Sequence, residues 1–188
     1  MDIEASSSST STTTTSDFTP EITVVDGQNE SVKLSHSTWK YMKTLVNMID
    51  DLGESATEMP ITLANSHKSL LEDLVELTSL MNEHAGEPRL PPKEGSGSRI
   101  LELWEEDFIK KYSLHQDDPN NIYSFLNECD YLEFPEAIDI GVQHVADRLN
   151  SCRTNDLEEA RKLVGIVSDF TEEEEEQNKA ELACLEVE

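Results

Sequence analysis

The sequence of 188 residues contains few basic residues and many acidic ones. Lys and Arg total 14 against 40 Asp and Glu, which gives a formal net charge of -26 at pH 7 with histidine neutral. A surface of this sign repels phosphate backbones and anionic lipid headgroups. We therefore expect neither nucleic acid nor a membrane as a partner.

The sequence also lacks paired cysteines and long apolar runs. Cys129, Cys152 and Cys184 lie far apart and form no CxxC pair, which is typical of reduced thiols inside the cell. The longest aliphatic run, residues 163–167, is much shorter than the roughly 20 residues of a membrane span. The first residues also contain no basic region followed by an apolar stretch. The sequence therefore predicts neither a secretory signal nor a membrane span.

No motif of a common enzyme class is present. The sequence contains no GxGxxG, GxxxxGK[ST], HExxH or GxSxG pattern, so the usual phosphate-binding loops and hydrolytic signatures are missing. The five histidines have neither the spacing nor the neighbouring cysteines of a metal site. We predict no enzymatic activity, no catalytic residue, no metal and no cofactor.

The N-terminal part is of low complexity. Residues 6–16 are all Ser or Thr, and such a stretch cannot bury apolar surface to offset its conformational entropy. We predict that residues 1–19 form a disordered tail.

The following part predicts an α+β domain. Residues 21–25 and 31–34 are β-rich and flank an Asp-Gly turn, which predicts a hairpin, and residues 60–63 predict a third strand. Helical spacing of apolar residues predicts one helix from Ser35 to Gly53, and a second over 70–81. A loop rich in proline and glycine is predicted over 84–99.

Beyond that loop only helical patterns remain. One helix is predicted over 100–109. A second is predicted to begin at Asp118-Pro119, with Asp118 as the N-cap and Pro119 in the first turn. A third is predicted to begin at Pro135. Two capping pairs predict the last two helices: Asp156 with Glu159, and Thr171 with Glu174.

The most distinctive segment is DFTEEE at residues 169–174, preceded by EEARK at 158–162. Together they resemble the C-terminal signature of the Skp-type adaptor family of SCF (Skp/cullin/F-box) ubiquitin ligases. Further matches to this family follow the same order upstream, at residues 48–53, 60–63, 104–108, 131–133 and 145–146. The resemblance covers about residues 20–188.

The resemblance implies a BTB/POZ-like fold over residues 20–150 and F-box-binding helices over 151–188. It implies an adaptor that bridges a cullin to F-box substrate receptors for protein degradation. We expect it in the cytoplasm and nucleus, and the sequence leaves open whether the free chain forms a homodimer. The expected cullin contacts are Ile122, Leu126, Asp130 and Tyr131. The expected F-box contacts are Val142, Leu163, Val164, Phe170, Glu173, Glu174, Leu182, Cys184 and Leu185.

The sequence departs from the family pattern at several of these positions. Asp130 replaces an Asn, Asn127 and Glu128 replace apolar or small residues, and Cys184 replaces a tryptophan. These departures indicate a diverged family member with a narrower set of partners.

Other interpretations remain open from the sequence alone. One is a POZ subunit of another complex, either elongin C-like or self-assembling, although elongin C-like chains lack the DFTxEEE helix. Another is an acidic chaperone of basic proteins such as histones, which the charge alone suggests.

Overall fold

The computed structural model describes residues 21–53, 55–87, 90, 99–115, 117–118, 120–152, 157–165, 170–171, 173–174 and 176–178. The predicted N-terminal tail and most of the predicted loop at 84–99 lie outside these residues. Within the described ranges, no helix combines the length and the apolar composition needed to cross a bilayer.

The described residues form three strands and, up to Val164, eight helices. The strands are β1 (Ile22–Val25), β2 (Ser31–Leu34) and β3 (Ile61–Thr62). The helices are α1 (His36–Trp39), α2 (Lys43–Leu52), α3 (Ser55–Glu58), α4 (Lys68–Glu83), α5 (Leu103–Ile109), α6 (Ile122–Tyr131), α7 (Pro135–Ser151) and α8 (Leu157–Val164). A small sheet followed by helices confirms the predicted α+β class.

The sheet has the strand order β2-β1-β3. β1 and β2 form the predicted antiparallel hairpin, with Ile22 opposite Leu34, and β3 pairs with β1 in parallel. Because side chains alternate between the two faces of a strand, Ile22, Val24 and Leu34 all point to one side. All three are fully buried, so this face of the sheet covers the core.

The turn between β1 and β2 is tied to the start of α4 by Asp26. Its carboxylate accepts hydrogen bonds from the backbone amides of Glu30 (2.8 Å), Gln28 (2.9 Å) and Lys68 (3.0 Å). These bonds, that of Glu30 foremost, hold the pKa of Asp26 below its usual range although burial acts in the opposite direction. Asp26 therefore links the hairpin to the helical layer as a carboxylate.

The prediction of one helix from Ser35 to Gly53 was wrong, because this segment forms two helices, α1 and α2. The backbone is extended at Met42, the N-cap of α2, with φ -103° and ψ 95°. Two hydrogen bonds to the end of α6 accompany this break: Lys43 N–H to the Glu133 carbonyl (3.4 Å) and Thr44 N–H to the Leu132 carbonyl (3.3 Å). Gly53 ends α2 as predicted, with φ 58°.

The predicted start of α6 was also wrong. The N-cap is Asn121, whose side-chain oxygen accepts a hydrogen bond from the Ser124 amide at 2.8 Å. Asp118 lies in the preceding turn and accepts from the Asn120 amide at 2.8 Å. Pro135 does open α7, as predicted.

α6 and α7 pack tightly against each other in the core. Phe125 and Phe134 are fully buried, and the rings of Phe125 and Tyr112 lie 4.7 Å apart. A Cβ atom at Gly141 would come within 2.6 Å of Leu126 Cδ2. Glycine therefore permits the close approach of the two helices.

Candidate functional site

The first candidate site is the C-terminal end of α6. Asp130 is exposed there, while Leu126 and Tyr131 are half-buried against the core. The backbone carbonyl of Tyr131 accepts a hydrogen bond from Thr44 Oγ1 at 2.9 Å. Because α2 also donates its first amides to the turn after α6, the backbone that carries Tyr131 is held in place.

Ile122 does not belong to this site. Its side chain is fully buried. Its backbone amide donates a hydrogen bond to the Ser113 carbonyl at 2.8 Å, which connects the start of α6 to the preceding loop. A residue in this position supports the core and offers no side-chain surface to a partner. We therefore remove Ile122 from the predicted cullin contacts.

The burial of Glu128 in α6 was not predicted from the sequence. Its side chain is buried, with a residue exposure of 4%, near Ser66 and His67. Burial raises the pKa of Glu128, although the neighbouring Ser66 and His67 oppose this shift. Glu128 Oε1 has no hydrogen-bond partner in the described part of the chain. The Glu128 carboxyl group therefore ionises less readily than an exposed glutamate does.

The second candidate site is the outer surface of α7. Val142 is 52% exposed and Leu149 is 38% exposed. The two residues are seven positions apart, so they lie two turns apart on one face of the helix. Val145 lies between them on the same side, half-buried and packed against the core, so that only part of its side chain reaches solvent. Aligned apolar side chains that face solvent are typical of a protein-binding surface. We call Val142, Val145 and Leu149 the α7 stripe.

α8 brings two more of the predicted residues to the surface of the helical end. Leu163 and Val164 are half-buried, and Leu163 packs against the edge of the core. Leu163 lines one cavity together with His144 and Arg148 of α7. Since Val142 precedes His144 by two residues, or about 200° around the helix, the structure places Val142 and Leu163 on different sides of α7.

The predicted capping pair of Thr171 and Glu174 is confirmed. The Thr171 amide donates to Glu174 Oε2 at 2.9 Å, and the Glu174 amide donates to Thr171 Oγ1 at 3.4 Å. The bonds from Thr171 lower the pKa of Glu174. Phe170, just before this cap, is 47% exposed, and Glu173 and Glu174 are exposed beside it.

Some predicted residues of the C-terminal part cannot be placed. Leu182, Cys184 and Leu185 lie outside the described residues, and so do Asp156 and the side chain of Glu159. In the part of the chain that is described, no three side chains of the types His, Cys, Asp or Glu are arranged to hold a metal ion.

Comparison with known proteins gives matches over both halves of the chain. The profile of the Skp1 family, dimerisation domain, matches residues 138–184. The "SCF ubiquitin ligase complex protein SKP1a" of Dictyostelium discoideum is 30% identical over 138 residues, which are 73% of this chain and 78% of that protein. The "E3 ubiquitin ligase complex SCF subunit sconC" of Talaromyces stipitatus is 25% identical over 164 residues, which are 86% of this chain and 94% of that protein.

The "E3 ubiquitin ligase complex SCF subunit sconC" of Arthroderma benhamiae is 27% identical over 167 residues, which are 87% of this chain and 93% of that protein. The matches to these relatives extend over 73–87% of the chain, so they are not confined to the C-terminal segment that the family profile matches. The chain belongs to the Skp1 family.

Proposed function

We propose that this chain is the non-catalytic adaptor subunit of an SCF-type E3 ubiquitin ligase, and that it bridges a cullin to F-box substrate receptors. Its relatives are named as subunits of SCF ubiquitin ligase complexes. The structural observation that carries the proposal is the α7 stripe, an exposed apolar surface within the segment that matches the family profile.

The α7 stripe is the proposed F-box-binding surface. Burying apolar surface is worth about 25 cal/mol per Å², so a partner helix laid along Val142, Val145 and Leu149 gains free energy at each position. Phe170, exposed ahead of the capped residues 171–174, adds an aromatic side chain to the C-terminal part. We assign Leu163 and Val164 a supporting role, because both are half-buried.

The end of α6 is the proposed cullin-binding surface. Tyr131 is a half-buried aromatic on a backbone held by α2, and aromatic residues of this kind are frequent anchors of protein interfaces. Leu126 and the exposed Asp130 complete the surface. We propose that the end of α6 and the α7 stripe act as two binding surfaces, so that the chain holds both partners at once.

Affinity purification of the tagged full chain from cells tests this function. We expect a cullin and several F-box proteins to co-purify, with recovery of F-box proteins at least tenfold lower for Val142→Asp and unchanged recovery of the cullin. Asn150→Asp is the matched control, because it adds the same charge to an exposed position of α7 outside the stripe. Recovery of elongin-type partners or histones in place of a cullin and F-box proteins would overturn the proposal.

We also propose that the free chain forms a homodimer through the α7 stripe, because the profile that covers α7 is described as a dimerisation domain. Light scattering should then show a dimer that Val142→Asp converts to a monomer; a dimer unaffected by this change would place the contact elsewhere. We propose a cytoplasmic and nuclear location, which imaging of a fluorescent fusion tests.

A further inference from the structure

The inner face of α7 changes from apolar to cationic along the helix. Ala137 and Ile140 on this face are buried in the core. His144 and Arg148 follow Ile140 at intervals of four residues, so they continue the same face of the helix. Beyond the end of the core, the side of α7 that faces α8 therefore carries positive charge.

Two adjoining cavities lie along this part of α7. Their volumes are about 320 and 450 Å³, and Arg148 and Leu163 line both of them. Among the described residues of the two linings there is no Asp or Glu. The cationic side chains of the linings are Lys110, Lys111, Arg148 and Lys162. We call the two cavities together the cationic cleft.

The cationic cleft stands out against the charge of the chain, in which 14 Lys and Arg face 40 Asp and Glu. Four of those 14 cations line it. Lys111 is already held by Asp73 (2.6 Å) and Glu76 (2.9 Å), and Lys110 is held by Asp107 (2.9 Å). Arg148 and Lys162, by contrast, are exposed and form no ion pair with another side chain in the described part of the chain.

His144 lines one of the two cavities beside Arg148. Its pKa is lowered first by burial and further by the charge of Arg148, while Asp147 and Glu106 act in the opposite direction.

We propose that the cationic cleft binds an acidic peptide segment of a partner protein, with Arg148 and Lys162 as the contacts to its carboxylate or phosphoserine groups. Arg offers a planar fork of donors that matches such groups, and Lys adds a point charge. Leu163, in the wall of both cavities, supplies an apolar contact to the peptide between its charged residues. Carboxylates farther than about 8 Å from the cleft are largely screened at physiological salt. Three nearer ones, Asp73, Glu76 and Asp107, are paired with Lys110 and Lys111, so Arg148 and Lys162 are the cations left for a peptide.

This surface goes beyond the proposed function. It shares Leu163 with the F-box assignment, but its charged contacts, Arg148 and Lys162, take no part in the α7 stripe. Val142→Asp should therefore leave peptide binding unchanged. Failure of the F-box assignment and failure of the cleft assignment are thus separate results.

Fluorescence anisotropy with the full chain tests the cleft directly. The probes are three labelled ten-residue peptides built around one Leu, with four Glu, four phosphoserine or four Gln residues. We expect the Glu or the phosphoserine peptide to bind at least tenfold more tightly than the Gln peptide, and their relative affinities will identify the preferred acidic group. The double variant Arg148→Glu with Lys162→Glu should bind the acidic peptides no better than the Gln peptide.

The control is Lys33→Glu with Lys43→Glu, which makes the same change in net charge at exposed positions away from the cleft and should reduce binding less than threefold. If charge reversal impairs folding, Arg148→Gln with Lys162→Gln provides the same comparison without new negative charge. Equal binding of acidic and Gln peptides, or equal losses in the cleft and control variants, would overturn the proposal.

Discussion

The end of α6 and the outer face of α7 belong to one packed pair of helices, but they expose different surfaces. At the end of α6, an exposed Asp130 and a half-buried Tyr131 sit on a backbone that α2 holds by hydrogen bonds. On α7, Val142 and Leu149 are apolar and project into solvent. Contacts with the core hold the surface at the end of α6 in place. The exposed side chains of α7 project from a helix that packs on the core, but they are not themselves core residues. Mutations should therefore separate stability from binding more cleanly on α7 than on α6.

The largest effect is expected where the two helices meet. Phe125→Ala removes a fully buried ring that contacts Phe108 and Tyr112, and should lower the free energy of unfolding by about 3–5 kcal/mol. Phe170→Ala removes the same atoms from a side chain that is 47% exposed, and should cost less than about 0.5 kcal/mol. Urea denaturation measures both. Similar losses for the two variants would mean that Phe170 is part of the core.

The next effect is on binding at the end of α6. Tyr131→Ala should weaken cullin binding by about 2 kcal/mol or more, as truncation of an aromatic anchor usually does, and should leave F-box binding unchanged. Calorimetry with each partner checks this, with thermal unfolding as the control for folding. If the variant loses thermal stability and keeps its cullin affinity, Tyr131 serves the core and the assignment is wrong.

A smaller effect on stability is expected at the buried acid of α6. A raised pKa in the folded state means that protonated Glu128 supports folding below the carboxyl pKa of the unfolded chain, about 4.3. That support is lost as the pH rises through the folded-state pKa. Glu128→Gln stays neutral, so at pH 7 it should raise the free energy of unfolding by about 1 kcal/mol.

Denaturation at several pH values measures the gain from Glu128→Gln. The gain should shrink as the pH falls towards 4, and Glu173→Gln, at an exposed position, should show no comparable change. A gain that is independent of pH would show that protonation of Glu128 is not its cause.

The smallest effect is expected from removal of residues 1–19. The Ser/Thr-rich composition of this segment predicts no contribution to either surface, so its deletion should change neither the cullin nor the F-box affinity. Calorimetry with the truncated chain measures both affinities. A loss of several-fold in either one would assign the segment a part in binding.

The local sequence determined more of the elements than of their boundaries. Alternation in β1 and β2, the stop at Gly53 and the proline that opens α7 act through their own backbone, and these predictions are confirmed. The break at Met42 depends on carbonyl groups some 90 residues away in the chain, at the end of α6. No local pattern contains that contact.

The same limit applies to the candidate sites. Tyr131 and Val142 were expected from the family resemblance, and both are at least partly exposed. Ile122 was expected from the same resemblance, but its direction depends on how the loop before α6 packs. The cationic cleft was missed altogether, because Lys110, Arg148 and Lys162 come together only when α5, α7 and α8 are assembled.

The central claim is that one chain holds two partners on two separate surfaces. Its most direct test is calorimetric titration of Tyr131→Ala and Val142→Asp, each with the N-terminal domain of a cullin and with an F-box segment. We predict that Tyr131→Ala loses the cullin and keeps the F-box, and that Val142→Asp does the reverse. If either folded variant lost both partners equally, or neither, the two surfaces would not be separate binding sites.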